Sequence, residues 1–182
     1  MRQEFVCLVE LGRINNDIVV LDADLSKSTK TDLFKKEFPK RHLNIGIAEA
    51  DLMGTAAGFA TCGKIPFAST FAHFAAGRAF DQIRNSVVYP KLNVKICPTH
   101  AGISLGEDGG SHQSVEDMAL MRSLPGMVVL SPADAVETEK MIFAVAEYEG
   151  PVYVRLGRLN IPVLFDENYK FEIGKAATLR EG

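Results

Sequence analysis

The feature that most constrains this chain is a repeated alternation of short, uninterrupted apolar runs with stretches that suit helices. Ile18-Val19-Val20-Leu21 is a continuous β-branched run that stops at Asp22-Ala23-Asp24, the pattern of a strand buried on both faces. Further runs at 43–45, 65–67, 92–97, 127–130 and 152–154 are separated by helical stretches at 47–62, 74–88, 114–123 and 133–149. Residues 3–14 suit an amphipathic helix ahead of the first strand. Such βα alternation predicts an α/β fold, a mostly parallel sheet of about six strands with helices on both faces. Ser131-Pro132-Ala133-Asp134 resembles a helix start, and Gly150-Pro151 stops that helix and feeds the next strand. After Arg158 the rhythm is lost. The domain proper is expected to span 1–165, with 166–182 the start of a linker towards an absent C-terminal domain and 171–180 patterned like a strand.

With 182 residues and 47% hydrophobic content, the chain can bury one full core. A net charge of −3 gives no broad basic surface, so nucleic acid and anionic membrane are not expected partners, and small-molecule work is favoured. Cys7, Cys62 and Cys97 are odd in number, lie within apolar stretches and form no CxxC pair, so they read as reduced, buried thiols of a cytoplasmic protein. Glu4 and Glu10 interrupt any signal peptide, and no apolar run approaches the roughly 18 residues of a membrane span.

In an open parallel sheet the ligand crevice lies beyond the carboxyl ends of the strands. Asp24, 46–49, 69–74, 99–112 and 155–158 all follow predicted strands and should converge on one edge. Among them, THAGISLGEDGGSHQ (99–113) sets His100, Glu107, Asp108 and His112 among four glycines, which allow positive φ and close backbone approach. These side chains donate, accept or exchange protons near neutral pH. On the residues alone, a mobile polar surface loop is the competing reading. A zinc site of His100, Asp108 and His112 is disfavoured by irregular spacing and the lack of a cysteine in the cluster. Glu49 opens a stretch, EADLMGTAAGFATCG, so poor in polar groups that its carboxylate is expected to be buried, where it needs a partner or a proton. An ordinary solvated helix residue is the alternative there.

Taken in order, Asp22-Ala-Asp-Leu-Ser-Lys-Ser28, Asn44-Ile-Gly-Ile-Ala-Glu49, Ser69-Thr-Phe71, the His100–Gln113 loop and Arg158-Leu-Asn-Ile-Pro162 resemble the central pyrimidine-binding (Pyr) domain of transketolase, most closely the C-terminal half of split transketolases. The resemblance implies a thiamine-diphosphate-binding fold and a two-carbon ketol transfer between sugar phosphates. It assigns Glu49 to the cofactor's aminopyrimidine N1′, as a catalytic and cofactor-binding carboxylate, and Phe71 and Phe74 to the aromatic pocket around that ring. His100 and His112 then act near the substrate carbonyl and first hydroxyl, and Asp108 near the second. Arg158, with Ser28 and Arg2, binds the sugar phosphate. His73 is read as solvent-facing and His42 as structural. The family holds the diphosphate and Mg²⁺ on a separate domain through a GDG motif and a downstream asparagine. Here Glu107-Asp108-Gly109 is the only similar string, so the resemblance implies half a site, with no metal ligands of its own. A diphosphate-binding (PP) domain or subunit is then the required partner, in a homodimer or heterotetramer, and the isolated chain is expected to be inactive. The corresponding domain of 1-deoxyxylulose-5-phosphate synthase, a 2-oxo acid dehydrogenase beta subunit, or a non-catalytic domain retaining the fold are the alternatives.

Overall fold

The computed structural model describes residues 2–182, with side chains described from Val6 onward. Helix α1 (Arg2–Ile14) leads into strand β1 (Ile18–Asp22), followed by short helices α2 (Ser26–Thr29) and α3 (Asp32–Glu37) and strand β2 (His42–Asn44). Helix α4 (Glu49–Thr61), strand β3 (Ile65–Ser69), helices α5 (Ala72–Arg78) and α6 (Phe80–Gln82), a π-helical turn (Ile83–Val88) and strand β4 (Lys95–Ile96) come next. The chain then forms α7 (Asp117–Arg122), β5 (Val128–Leu130), α8 (Ala135–Glu147) and β6 (Val152–Val154). The six strands pair entirely in parallel, in the order β2-β1-β3-β4-β6-β5. That agrees with the α/β expectation.

Each strand is short, yet β1, β4 and β6 are buried along their whole length because helices cover both faces. On one face α4, the π-turn and α7 bury Leu52, Met53, Ile83 and Met121 against the sheet. On the other, α1 and α8 bury Leu8, Leu11, Met141 and Ile142. Pro66 lies in the central strand β3 without breaking it. The amide before it, Ile65 N–H, donates to Asp17 of the β1 side at 2.8 Å, and the β4 ladder begins only at Phe67↔Lys95, beyond the side on which proline lacks a donor. Gly12 allows α1 to lie close to α3: a Cβ there would meet Phe34 at 2.6 Å and Phe38 at 2.7 Å. Fully buried Lys95 donates to the carbonyls of Tyr148 (2.5 Å) and Gly150 (2.9 Å), satisfying acceptors at the end of α8, while burial pushes its ammonium pKa down to about 8.

Several element limits differ from the sequence expectation. The helix expected over 74–88 is broken at Ala79, after Gly77 has weakened it, and resumes as α6 and the π-turn. The helix expected from 114 starts at Asp117, because Ser114 is taken up by a two-way backbone bridge to Gly102. The expected strand at 92–97 is a two-residue ladder, since Leu92 and Val94 are used in turns. Residues 171–180 form no strand: the segment finds no ladder partner, and Phe171 and Ile173 pack instead on the α1–α8 side of the core. Cys7 and Cys97 are buried as expected, but Cys62 is exposed, because it caps α4 where the chain turns out through Gly63. None of the three cysteines forms a disulfide, and no helix among the described residues is long and apolar enough to cross a membrane.

Candidate active site

At the carboxyl ends of β1, β3 and β4 the chain turns sharply, and non-glycine residues adopt positive φ at Asp24 (61°) and His100 (61°). Asp24 and Asn44 tie the β1 and β2 ends together: Asp24 N–H donates to Asn44 Oδ1 at 2.9 Å and Asn44 Nδ2 donates to Asp24 Oδ1 at 2.9 Å. Gly46 N–H donates to the same Asn44 oxygen, which sets the path of the chain into Glu49. Asp22 lies fully buried below, with Oδ2 2.8 Å from His42 Nε2 and receiving the Thr31 hydroxyl at 3.0 Å. That leaves His42 in a structural position.

Glu49 is the first residue of α4 and is 3% exposed. The partner its carboxylate requires is cationic: Arg78 Nη1 donates to Oε2 at 3.2 Å, and the Thr70 hydroxyl reaches Oε1 at 3.5 Å. The Arg78 guanidinium also lies over the Phe74 ring, 4.0 Å from its centroid, so Glu49 and the aromatic cluster are contiguous. Arg78 was not singled out from sequence. Its place four residues after Phe74 on one helix was the available signal.

The aromatic cluster is compact. Phe71 stacks on His100 with centroids 4.0 Å apart, Phe74 meets His112 edge-on at 4.9 Å, and Leu105 from the substrate-loop candidate seals against both phenylalanines. His100 is 7% exposed, and its Nδ1 is 2.8 Å from the Thr99 hydroxyl. Burial, and then the nearby Arg158 charge, push its pKa down to about 4, with Asp108 acting in the opposite direction. His100 is therefore neutral at pH 7. His112 Nδ1 shares a 2.9 Å hydrogen bond with Ser111. Arg158 lies against the loop: a Cβ on Gly106 would stand 2.8 Å from Arg158 Nη1, and Gly106 has φ +100°. Glycine is the residue that permits this approach.

The structure thus gathers Glu49, Phe71, Phe74, His100 and His112 in one cluster, with Asp108 and Arg158 close enough to act on His100. Ser28 stands on α2 at the same sheet edge, lining an open hollow of about 330 Å³ with Asp24, Ser26 and Lys27, and no described hydrogen bond joins it to Arg158. The Arg2 side chain lies outside the described residues. His73 is not simply solvent-facing: it packs edge-on to Phe74 at 5.4 Å, with Nδ1 3.6 Å from Glu116 Oε1. Among the described residues no three His, Cys, Asp or Glu side chains gather as a metal site.

The model of the family "Transketolase, pyrimidine binding domain" matches residues 6–163. The chain belongs to that family. A Methanocaldococcus jannaschii protein named as a transketolase C-terminal section is 55% identical over 177 residues, which cover 96% of this chain and 56% of that protein. The 6-deoxy-6-sulfo-D-fructose transketolase subunit of a Clostridium species is 41% identical over 96% of this chain and 54% of its own length. A solved split-gene transketolase, described as an inactive beta4 tetramer, superimposes with a TM-score of 0.88 at 59% identity, covering all of this chain and 58% of that one. The Pyr domain seen here thus spans little more than half the length of these relatives. The family implies thiamine diphosphate dependence.

Proposed function

We propose that this Pyr domain is the pyrimidine-binding half of a thiamine-diphosphate-dependent transketolase that moves a two-carbon ketol unit between sugar phosphates. The observation that carries this reading is the buried Glu49 carboxylate beside an aromatic pocket, on the same sheet edge as two histidines and an arginine. An aminopyrimidine fits those residues: a carboxylate for a ring nitrogen, and two phenylalanine faces for the ring. When bound, the cofactor supplies the carbon nucleophile that takes up the ketol unit.

The chain's own residues do the rest. Glu49 holds N1′ and can hold or release a proton there, and Arg78, which occupies its Oε2 in this structure, must share or yield that position. Phe71 and Phe74 exclude water from the ring. His100, neutral at pH 7 and oriented by Thr99, can donate or accept at its other nitrogen, and His112, edge-on to Phe74, is a second such group. Asp108 accepts from a substrate hydroxyl, and Arg158, with Ser28 and Arg2, meets the terminal anion. The Clostridium relative is named for a sulfonated ketose, and an arginine fork suits a sulfonate as it suits a phosphate. The diphosphate and Mg²⁺ belong to a partner domain or subunit, in a homodimer or heterotetramer, and the compartment is cytoplasmic. Activity belongs to that assembly.

The test is Glu49→Gln in the chain assembled with its diphosphate-binding partner. Turnover is expected to fall by about 10²-fold or more with the melting temperature unchanged. Proton exchange at C2 of bound thiamine diphosphate proceeding at the unmutated rate would overturn the assignment.

A further inference from the structure

An ionic cluster around the buried Asp117 carboxylate, outside the site, ties together both limbs of the loop that carries His112 and Asp108. Tyr153 and Arg155 are two residues apart on and just past β6 and project from the same face of the sheet. The Tyr153 hydroxyl and the Arg155 Nε–H both donate to Oδ2 of Asp117, each at 3.0 Å. Asp117 is fully buried, and its Oδ1 has no hydrogen-bond partner among the described residues. Asp117 opens α7, three residues past Ser114.

The other limb of the loop meets the same arginine. Gly102 has φ +84°, and a Cβ there would come within 3.3 Å of Arg155 Nη2. Gly102 and Ser114 close the loop base by exchanging backbone hydrogen bonds, N–H of Gly102 to Ser114 at 2.8 Å and N–H of Ser114 to Gly102 at 3.3 Å. Arg155 therefore touches the incoming limb and is ion-paired to the outgoing one. It also sits three residues before Arg158. One cluster thus fixes the loop bearing the histidine and Asp108 relative to the strand end bearing the candidate anion-binding arginine. Asp117 is fully buried while Arg155 keeps part of its side chain exposed, and replacing such a pair by well-packed apolar side chains is often neutral for stability.

We propose that Asp117 and Arg155 are positioning residues, whose ion pair clamps the base of the 102–114 loop to β6 and sets the spacing between His112, Asp108 and Arg158 at which an anionic ketose is held. The proposal rests on the transketolase reading above. It makes no demand on either side chain to touch substrate.

The experiment compares Arg155→Met, Arg155→Lys, Asp117→Asn and the double variant Arg155→Met/Asp117→Leu, each assembled with the diphosphate-binding partner. The double variant removes both charges, so it keeps the test available where a single variant leaves one charge buried and fails to fold. Two quantities are read: the ratio of kcat/KM for a ketose phosphate donor to that for a ketol donor lacking the phosphate, and amide hydrogen exchange across 103–113. In the double variant the ratio is expected to fall by at least about tenfold, chiefly through KM of the phosphorylated donor, with faster exchange in the loop. Arg155→Lys is expected to recover part of both effects. An unchanged ratio in a transfer-competent, folded double variant would overturn the clamp alone. An unmutated assembly with no ketol transfer would instead remove the underlying reading, and the proposal with it.

Discussion

At the scale of single residues, His100 links burial to acid sensitivity. Its pKa is about 4 in the folded chain against an ordinary 6.5, so between these values the unfolded chain binds more protons and stability rises with pH. His100→Asn removes that dependence. The unmutated chain is expected to lose about 2 kcal/mol relative to the variant as pH falls from 6.5 towards 4, with no such difference developing above pH 6.5. Denaturant titrations at a series of pH values measure it, and parallel curves for the two proteins would refute it. The sequence made the histidine visible as a loop residue of the right chemistry, but its depth of burial depends on Phe71 stacking across from another strand. Glu49 was legible because its helix carries so few polar groups. Its partner was not, since no local pattern relates residues 49 and 78, and only the tertiary contact of α4 with α5 brings them together.

At the scale of elements, α8 shows how much one cap can organise. Asp134, read from sequence as part of a helix start, accepts Glu137 N–H at 2.8 Å while its other oxygen accepts the amides of Leu164 and Phe165 at 2.7 and 2.8 Å. Burial pushes its carboxyl up, but these backbone donors outweigh it and hold the pKa below the usual value. Glu137 receives the Tyr169 hydroxyl at 2.7 Å, and Lys140 donates to the carbonyls of Glu167 and Tyr169, so the segment after Arg158 is strapped along α8. Asp134→Ala is expected to cost about 2 kcal/mol, the sum of a lost cap and two stranded amides, and to speed hydrogen exchange over 160–173 while Asp134→Asn does so less. Unchanged exchange in that segment would show that the strap does not depend on Asp134. Periodicity located the helices and strands well because β1, β4 and β6 are buried on both faces along their whole length. It misread 171–180, where Phe171 and Ile173 pack on the core without a ladder partner and Leu179 stays exposed, and it missed the π-turn, which no periodic signal marks.

At the scale of the whole molecule, the strand order sends every loop of the site to one edge, and this convergence was foreseeable from βα alternation alone. The described residues bring a buried carboxylate, aromatic faces and an arginine to the crevice, but no cluster of oxygen ligands for Mg²⁺. Most of the charge through which thiamine diphosphate is recognised lies in its diphosphate and metal, and among the described residues no α-helix opens on a run of glycines of the diphosphate-binding kind. A pyrimidine pocket alone can contribute only a few kcal/mol, which corresponds to affinity near the millimolar end of the scale. Ile47, Tyr89, Ile103 and Val115 each stand largely exposed, apolar side chains that association with another chain would cover. Residues 1–182 on their own are therefore expected to fold and self-associate, to bind thiamine diphosphate and Mg²⁺ no tighter than about millimolar, and to transfer no ketol unit. Titration calorimetry with cofactor and Mg²⁺, run with and without the diphosphate-binding partner, measures this directly. Micromolar or tighter binding by the chain alone would mean that it holds a whole site, and the division of labour argued above would fall.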